Sequence, residues 1–176
     1  MALTFGEIME ESVTALCCAL CGEGLGAAQG SQGGAVLDLG SGEGRLLQAA
    51  LEAYPFDVAH GIEIMSLRHQ RALLRSCVVE SKMRLQLADF RKLPWWHTPD
   101  LRVVFCVANL FDEDLMEEVH VGLGRCQAGV FLVLIGNKLC SGGGLLELRQ
   151  MPIRTSWGDD WARIYHRYDS PLTEMD

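Results

Sequence analysis

Residues 35–44, with the sequence AVLDLGSGEG, constrain the fold more than any other part of this chain. The first four residues read as a short buried strand, glycines then recur at every second position, and an apolar-periodic helix begins near Arg45. Glycines let the backbone turn sharply and approach a ligand closely, and the N-terminus of the following helix presents free N–H donors. The segment therefore predicts a strand–turn–helix crossover of the nucleotide-binding kind.

The spacing of the glycines distinguishes two kinds of nucleotide site. Gly40, Gly42 and Gly44 form the pattern G-x-G-x-G, with Asp38 two residues before it. The dinucleotide fingerprint instead has two residues before its third glycine. The observed spacing resembles the first motif of class I S-adenosylmethionine-dependent methyltransferases; the alternative is a tight turn in an ordinary α/β protein. The resemblance implies that the cofactor, S-adenosyl-L-methionine, is bound by Asp38, Gly40, Ser41 and Gly42.

Two further predicted strands also end in acidic residues. Residues 57–63 read as a second strand ending in Glu63, and residues 84–89 as a third ending in Asp89, which Phe90 follows. In open α/β sheets, ligands bind at the carboxyl ends of the strands. We therefore expect Glu63 to accept both ribose hydroxyls of an adenosine. We expect Asp89 to accept the exocyclic amine of the adenine, and Phe90 to pack against the ring. The alternative role for each acid is a helix N-cap.

The order of the predicted elements defines the fold class. A helix at residues 6–21 and a glycine-rich loop at 22–34 precede a regular alternation of strands and helices, and two late strands (145–151 and 162–168) follow one another directly. Alternation implies a parallel sheet with helices on both faces, and the late pair implies an antiparallel hairpin at one edge. We predict an α/β, Rossmann-like sandwich of the class I methyltransferase type. Residues 1–34 are its N-terminal helix and loop, and residues 35–176 are a single S-adenosylmethionine-binding unit.

Charge and cysteine content limit the partners and the compartment. The chain has 23 acidic and 15 basic residues and a net charge of −8. This charge argues against strong autonomous DNA binding, because non-specific DNA affinity comes mostly from lysine and arginine. No apolar run reaches the roughly 18 residues of a membrane span, and no signal peptide is evident. The cysteines suit a reducing compartment, the nucleus or cytoplasm, and their one cluster lacks a second ligand pair, so no metal site is predicted.

A series of motifs between residues 5 and 169 is similar to one group of methyltransferases. In order, the motifs are Phe5-Gly6-Glu7, Asp38-Leu-Gly-Ser-Gly-Glu-Gly, Gly61-Ile-Glu63, Asp89-Phe90, Val107-Ala-Asn-Leu-Phe111, Ser156-Trp157 and Tyr165-His166-Arg-Tyr-Asp169. The series resembles the disruptor-of-telomeric-silencing (DOT) family of histone lysine methyltransferases. That family has a Tyr-Gly-Glu segment, a DLGSG turn, G-x-E, D-F, an asparagine-containing segment and a late Ser-Trp. The first and last of these elements favour the family over the superfamily at large.

The resemblance implies a protein lysine N-methyltransferase whose substrate is a protein, with a histone in a nucleosome as the family's example. It implies that Glu7 binds the cofactor and that Asn109 and Phe111 belong to the catalytic segment. An apolar channel would desolvate the acceptor lysine and lower the pKa of its amine. Three aromatic residues could line this channel, and the alternative for each is packing in the hydrophobic core. These residues are Phe5, Trp157 and Tyr165.

Departures from the family pattern leave other functions open. Phe5 replaces the family's tyrosine, and Ala108 stands where the family has the first of two adjacent asparagines. The chain also lacks the basic segments that help such enzymes bind nucleosomes, so we expect a partner protein to contribute. One alternative is a methyltransferase for a non-histone protein or a small molecule. The other is a non-catalytic, methyltransferase-like partner subunit, which the missing asparagine favours.

Overall fold

Helices and strands alternate along the chain as the sequence predicts. The computed structural model describes residues 7–25, 33–76, 81–139 and 144–169. Within these ranges the helices are α1 (Glu10–Gly22), α2 (Arg45–Ala53), α3 (Ser66–Arg75) and α4 (Glu113–Arg125). The strands are β1 (Ala35–Leu39), β2 (Val58–Glu63), β3 (Met83–Leu87), β4 (Leu101–Val107), β5 (Phe131–Ile135), β6 (Leu145–Thr155) and β7 (Gly158–Arg167). Two short 3-10 helices, Phe90–Lys92 and Trp95–His97, lie between β3 and β4.

The strands form one sheet in the order β3-β2-β1-β4-β5-β7-β6. β1 to β5 run parallel, whereas β7 is antiparallel to both β5 and β6. The strand order reverses around β1, which has β2 on one side and β4 on the other. An open α/β sheet has its ligand crevice at such a reversal. The prediction of a Rossmann-like α/β sandwich with an antiparallel hairpin at one edge is confirmed.

Apolar cores cover both faces of the sheet. On one face, α1 and α2 pack against strand side chains that include Val36 and Ile164. On the other face, α4 and the ring of Trp95 pack against a second set that includes Leu37 and Leu132. β1 and β5 are buried along their whole length, as parallel strands covered on both faces should be. The side chains of α1 share one core with those of α2 and the strands.

α1 begins at Glu10, four residues later than predicted, because the residues before it pair with the sheet. Ile8 forms an antiparallel bridge with Thr155, and the N–H of Met9 donates to the carbonyl of Arg154 at 3.0 Å. These contacts lie along β6, which is the edge strand of the sheet. Residues 7–9 therefore form an extended segment beside β6, and the predicted helix is wrong at its first residues.

The β6–β7 hairpin is longer than predicted. Residues 152–160, expected to be a link, complete both strands and leave only Ser156 and Trp157 between them. Proline within a sheet is confined mainly to edge strands and bulges, and Pro152 lies on the edge strand β6. The last residue of β5, Ile135, pairs with Ala162. The hairpin tip, residues 154–161, therefore extends beyond the carboxyl end of β5.

The remaining differences from the sequence predictions are small. The sequence predicts a helix from about Ser66 to Val79 with Ser66 as its N-cap, but Met65 has the N-cap position of α3, and no side chain caps that helix. Asp112 does cap α4, because its side chain accepts the N–H of Leu115 at 2.9 Å. Residues 77–79, the predicted end of the helix from Ser66, lie outside the described residues. In the described part of the chain, no helix is long and apolar enough to cross a membrane.

Candidate functional site

A cavity of about 320 Å³ opens at the carboxyl ends of the parallel strands. Its walls come from the glycine turn, the start of α3, the segments that follow β3 and β4, and the residues before α1. The structure thus brings together segments that are far apart in the sequence, although the roles of their residues stay predictions. The predicted site residues that line the cavity are Glu7, Asp38, Gly40, Ser41, Glu63, Asp89, Phe90, Asn109 and Phe111.

The glycine turn after β1 is held by the neighbouring strand. The N–H groups of Gly40 and Ser41 both donate to the carbonyl of Ile62, at 2.9 and 3.0 Å. Gly40 has a φ of 84°, a left-handed conformation that glycine adopts without steric cost. A Cβ at this position would meet the ring of Phe111 at 3.9 Å, an ordinary contact distance. The backbone at Gly40 is therefore open to the cavity.

Gly42 is not among the residues that line the cavity, and its expected close approach to the ligand stays a prediction. Its N–H donates to Oε2 of Glu63 at 2.7 Å. Its φ is 55°, and a Cβ would lie 2.3 Å from Nη2 of Arg68. Glycine is favoured here because the backbone is left-handed, and a larger side chain would also require the Arg68 guanidinium to move. Gly42 therefore contacts two residues of the cavity wall, Glu63 and Arg68.

Glu63 is a buried acceptor at the end of β2, with 3% of its surface exposed. Its Oε2 accepts the N–H of Gly42 and its Oε1 accepts the N–H of Met65, both at 2.7 Å. Nη1 of Arg68 lies 3.8 Å from Oε2. A carboxylate has about four acceptor positions, so both oxygens can accept a further hydrogen bond. This arrangement suits the two hydroxyl donors that the ribose prediction requires.

Asp38 places a second buried carboxylate beside Glu63. Its surface is 3% exposed, and its Oδ1 has no hydrogen-bond partner within the described residues. Burial and the negative charge of Glu63 raise the pKa of Asp38 to about 7, and Arg68 opposes this shift. A buried acceptor without a partner is costly. A donor that enters the cavity, above all a cationic one, would remove that cost.

Asp89 lies in the cavity wall but is already paired with Arg91. Oδ1 accepts from Nε at 2.9 Å, Oδ2 accepts from Nη2 at 2.7 Å, and the N–H of Arg91 adds a third bond at 3.1 Å. Hydrogen bonding to the Arg91 side chain lowers the pKa of Asp89. The expected contact with the exocyclic amine of an adenine therefore requires Arg91 to share or release this carboxylate.

Two aromatic residues with different predicted roles form one stack. The rings of Phe90 and Phe111 lie 5.8 Å apart with an interplanar angle of 22°. Phe90 was expected to pack against an adenine, and Phe111 to belong to the catalytic segment. Asn109 lies exposed on the same cavity wall. The segment after β4 thus presents an amide and an aromatic ring to one space.

Asn137 supports this segment and was not predicted from the sequence. Its Nδ2 donates to the carbonyls of Ala108 and Phe111, at 3.3 and 3.5 Å. Ala108 is fully buried and does not line the cavity. Sequence reasoning missed Asn137 because it follows β5, whereas the segment that it supports follows β4.

Glu7 brings a remote part of the chain into the cavity wall. Its N–H donates to Oγ of Ser156 at 2.9 Å, and its carbonyl accepts the N–H of Ser156 at 2.8 Å. Its carboxylate oxygen Oε2 lies 3.0 Å from Nη1 of Arg45 at the start of α2. The Phe-Gly-Glu and Ser-Trp elements of the sequence therefore meet through Glu7 and Ser156, which are 149 residues apart.

Two of the predicted channel residues do not line the cavity. Tyr165 is buried, its hydroxyl accepts the N–H of Leu139 at 3.2 Å, and burial raises its pKa to about 12. It pairs with Leu132 of β5, so its side chain belongs to the core on the α4 face. Trp157 lies in the turn of the hairpin, where its Nε1 donates to Asp160 at 3.2 Å. Phe5 lies outside the described residues.

Other lining residues were not singled out in the sequence, and most lack a distinctive signal. Ile64 is a large apolar side chain with 62% of its surface exposed at the cavity. It directly follows Glu63, so its place beside the expected adenosine could have been read from the strand end. Arg45 and Arg68 are positioned by tertiary contacts, and no motif in the sequence predicts these contacts.

The cavity is strongly acidic. Its lining includes seven carboxylates and three guanidinium groups. The carboxylates of Asp112 and Asp114, at the start of α4, are among them. Within the described ranges, no three His, Cys, Asp or Glu side chains are grouped as potential metal ligands. The site therefore favours cationic groups.

Comparisons with known proteins support the fold. No protein-family model matches the chain, and no curated protein matches its sequence. Solved structures do match: an RNA methyltransferase from Salinibacter ruber in complex with S-adenosyl-L-homocysteine is 16% identical with a TM-score of 0.61, covering 90% of this chain and 96% of that one. A SAM-dependent methyltransferase from Thiobacillus denitrificans, with the same ligand, is 17% identical with a TM-score of 0.59, covering 84% and 68%.

A third match acts on a different kind of molecule. The mitomycin 7-O-methyltransferase MmcR is 14% identical with a TM-score of 0.61, and the match covers 90% of this chain and 53% of that one. Similarity at this level of identity concerns the fold alone, and one fold supports many functions. The chain has the fold of class I S-adenosylmethionine-dependent methyltransferases. These comparisons do not single out the DOT family.

Proposed function

We propose that this chain is an S-adenosylmethionine-dependent methyltransferase whose acceptor is the amine of a protein lysine. One observation carries the first part of the proposal. A buried carboxylate oxygen, Oδ1 of Asp38, has no partner within the described residues and lies at the cavity where Glu63 also ends its strand. A ligand that has both a cationic group and two adjacent hydroxyls would satisfy both carboxylates.

The residues of the cavity fit the cofactor part by part. Glu63 would accept the ribose hydroxyls, and Asp38 would pair with the ammonium of the methionine end. Ile64 and the ring of Phe90 offer apolar surface for the adenine. Asp89 would accept the exocyclic amine once Arg91 shares it. The cofactor supplies an electrophilic methyl group on a sulfonium centre.

The acidic lining supports a cationic acceptor over a nucleic acid. A phosphate backbone would meet a lining of seven carboxylates and three guanidinium groups, on a chain of net charge −8. A protein that is rich in lysine has the complementary charge. This supports a protein lysine over the RNA substrate named for the Salinibacter ruber enzyme.

The chain's contribution to the chemistry is alignment and exclusion of water. The lysine amine must be neutral when it reacts. The acidic lining attracts the protonated side chain and raises the pKa of its amine, whereas desolvation against the apolar surface of Phe111 and Leu115 lowers that pKa and favours the neutral form. The side-chain oxygen of Asn109 can accept a hydrogen bond from the amine and direct its lone pair. The acceptor nitrogen bonds to the methyl carbon as the carbon–sulfur bond breaks. S-adenosylhomocysteine leaves, and a proton passes from nitrogen to solvent.

A histone in a nucleosome is the acceptor that the DOT resemblance suggests, and it places the proposed activity in the nucleus. A partner protein would then be needed to hold the nucleosomal DNA, because the chain is acidic. Methylation of free histone should therefore exceed methylation of nucleosomes until a nuclear extract is added. If the proteins of the added extract are labelled and the histones are not, the acceptor is a non-histone protein.

The test is a two-stage experiment on the full chain. Calorimetry with S-adenosylhomocysteine measures cofactor binding. Methyl transfer from radiolabelled S-adenosylmethionine is then compared for free histones, total RNA and a small-molecule extract. Binding together with label on histone lysine supports the proposal. Label on RNA alone contradicts the acceptor, and the absence of cofactor binding contradicts the class of enzyme.

A further inference from the structure

We propose that Ser156, at the tip of the β6–β7 hairpin, is a positioning residue that holds Glu7 in the wall of the cofactor cavity. The inference rests on the proposed function, because Glu7 is expected to act on the bound cofactor. Trp157 does not line the cavity, so this role of Ser156 is what connects the late Ser-Trp element to the cavity.

Ser156 holds Glu7 through two hydrogen bonds. Its hydroxyl oxygen accepts the N–H of Glu7 at 2.9 Å, and its own N–H donates to the carbonyl of Glu7 at 2.8 Å. Ser156 itself does not line the cavity, whereas Glu7 does. Its effect on the site must therefore pass through the backbone of Glu7.

The other contact of Glu7 is too weak to fix its position. The Arg45 side chain is 50% exposed and that of Glu7 is 29% exposed, although their closest charged atoms lie 3.0 Å apart. Exposed ion pairs contribute little because solvent screens them and the side chains lose entropy. The backbone anchor to Ser156 therefore determines where the Glu7 carboxylate lies.

The attachment of the N-terminal segment to β6 does not depend on the Ser156 hydroxyl. The hydroxyl of Ser12 on α1 accepts the N–H of Arg154 at 2.8 Å, and Met9 donates to the carbonyl of Arg154 at 3.0 Å. The Ile8–Thr155 bridge adds a further contact. Loss of the Ser156 hydroxyl should therefore leave Glu7 held to this turn only by the backbone N–H of Ser156, so that Glu7 is loosened while α1 stays in place.

Ser12 provides a matched control that separates an effect on the position of Glu7 from an effect on the attachment of the N-terminal segment to β6. Like Ser156, it uses a hydroxyl to accept a backbone N–H between the N-terminal region and β6, but its bond lies away from the cavity. Ser12 is buried, whereas Ser156 is exposed. Ser12→Ala should therefore cost at least as much thermal stability as Ser156→Ala. A purely structural role for Ser156 predicts no larger effect on the cofactor than the control has.

The experiment compares full-length Ser156→Ala, Ser156→Thr and Ser12→Ala with the wild type, by calorimetry with S-adenosylhomocysteine and by thermal unfolding. One hydrogen bond corresponds to roughly a threefold to tenfold change in affinity. We expect about that loss for Ser156→Ala, recovery of affinity in Ser156→Thr, and less than a twofold change for Ser12→Ala. Glu7→Gln should weaken binding, and adding Ser156→Ala to it should have little further effect.

Each outcome bears on the inference. Equal affinities for Ser156→Ala and the wild type overturn it, as do equal losses in Ser156→Ala and Ser12→Ala. If Ser156→Ala fails to fold, the affinities of Ser156→Thr and Glu7→Gln are compared with that of the wild type. The inference then requires wild-type affinity in Ser156→Thr and weaker binding in Glu7→Gln. An additive effect in the double variant would show that Ser156 acts elsewhere. A wild-type chain that does not bind the cofactor contradicts the proposed function itself, which a change confined to the variants does not.

Discussion

The cavity has two walls that are built in different ways. One wall consists of the carboxyl ends of adjacent parallel strands, where Asp38 and Glu63 belong to neighbouring β1 and β2. The other wall is Glu7, which is held in place by Ser156 149 residues later in the chain. The first wall uses buried carboxylates and backbone amides, and the second uses an exposed anchor. We infer that the first wall supplies most of the affinity for the cofactor, and that the second wall makes a smaller contribution to that affinity.

The largest expected effect comes from changing the glycine turn in the strand-end wall. In Gly42→Val, the new Cβ would lie 2.3 Å from the Arg68 guanidinium, at a φ of 55° that a β-branched residue disfavours. The displaced turn would release Glu63, so binding of S-adenosylhomocysteine should fall below detection by calorimetry. Thermal stability should also fall. Gly124→Val is the control, since a Cβ at Gly124 in α4 would have open space around it within the described residues.

The next effect concerns Glu63 itself. If its carboxylate accepts both ribose hydroxyls, Glu63→Ala removes two hydrogen bonds to a charged group, each worth about 1.5–3 kcal/mol. The dissociation constant for S-adenosylhomocysteine should rise at least about tenfold. Glu52→Ala, an exposed glutamate on α2, is the control and should bind as the wild type does. Unchanged affinity in a folded Glu63→Ala chain would remove Glu63 from the site.

A pH titration tests the role of Asp38 in the same wall. Burial and Glu63 raise its pKa to about 7 from an ordinary value of 3.8, against the effect of Arg68. If the ionised carboxylate pairs with the ammonium of the ligand, affinity should increase about tenfold between roughly pH 6 and pH 8. Calorimetry of Asp38→Asn across this range should show a much flatter profile. A steep profile in that variant would assign the titration to another group.

The same pKa shift has a defined sign for stability. The folded chain holds the Asp38 proton more tightly than the unfolded chain does. This group therefore contributes most to the free energy of unfolding below about pH 4, and the contribution is lost as pH rises towards 7. Comparing thermal unfolding of the wild type and Asp38→Asn at pH 5 and pH 8 measures this. We expect the stability advantage of the wild type to shrink at the higher pH.

The smallest expected effect is at the support for the segment after β4. Asn137→Ala removes two long hydrogen bonds, at 3.3 and 3.5 Å, to the carbonyls of Ala108 and Phe111. Loosening this segment should weaken S-adenosylhomocysteine binding by roughly twofold to fivefold. Gln127→Ala, whose Nε2 donates to Leu101 at 3.5 Å away from the cavity, provides the comparison. A loss as large as that of Glu63→Ala would mean that this segment contributes as much to ligand binding as Glu63 does.

The two walls also differ in how far the sequence predicts them. The strand-end wall is encoded locally, because a buried run, a glycine turn and an acid at a strand end are all visible in the sequence. The remote wall depends on which strand edge residues 7–9 join. The Phe-Gly-Glu and Ser-Trp elements are visible in the sequence, but the contact between them is not. The extended residues 7–9 also fall within the predicted helix 6–21.

The positions of Tyr165 and Trp157 outside the cavity lining have related physical explanations. Side chains alternate between the faces of a strand, so the face of Tyr165 depends on its pairing with Leu132, which the sequence does not state. The sequence predicts a link over residues 152–160, which begins with Pro152, although an edge strand accepts proline. The hairpin therefore continued further than expected, and Trp157 became part of its turn.

The contact between Glu7 and Ser156 also has a consequence for how the chain folds. Contacts between residues far apart in sequence form slowly, since the loop between them must lose its entropy before any contact energy is gained. The parallel strands can pair earlier, but the cavity is complete only after both of these distant segments have docked. A ligand that binds only the complete cavity would shift the docking equilibrium towards the docked state by mass action. During synthesis, full affinity for such a ligand would arise only after the β6–β7 hairpin, whose turn contains Ser156, has formed.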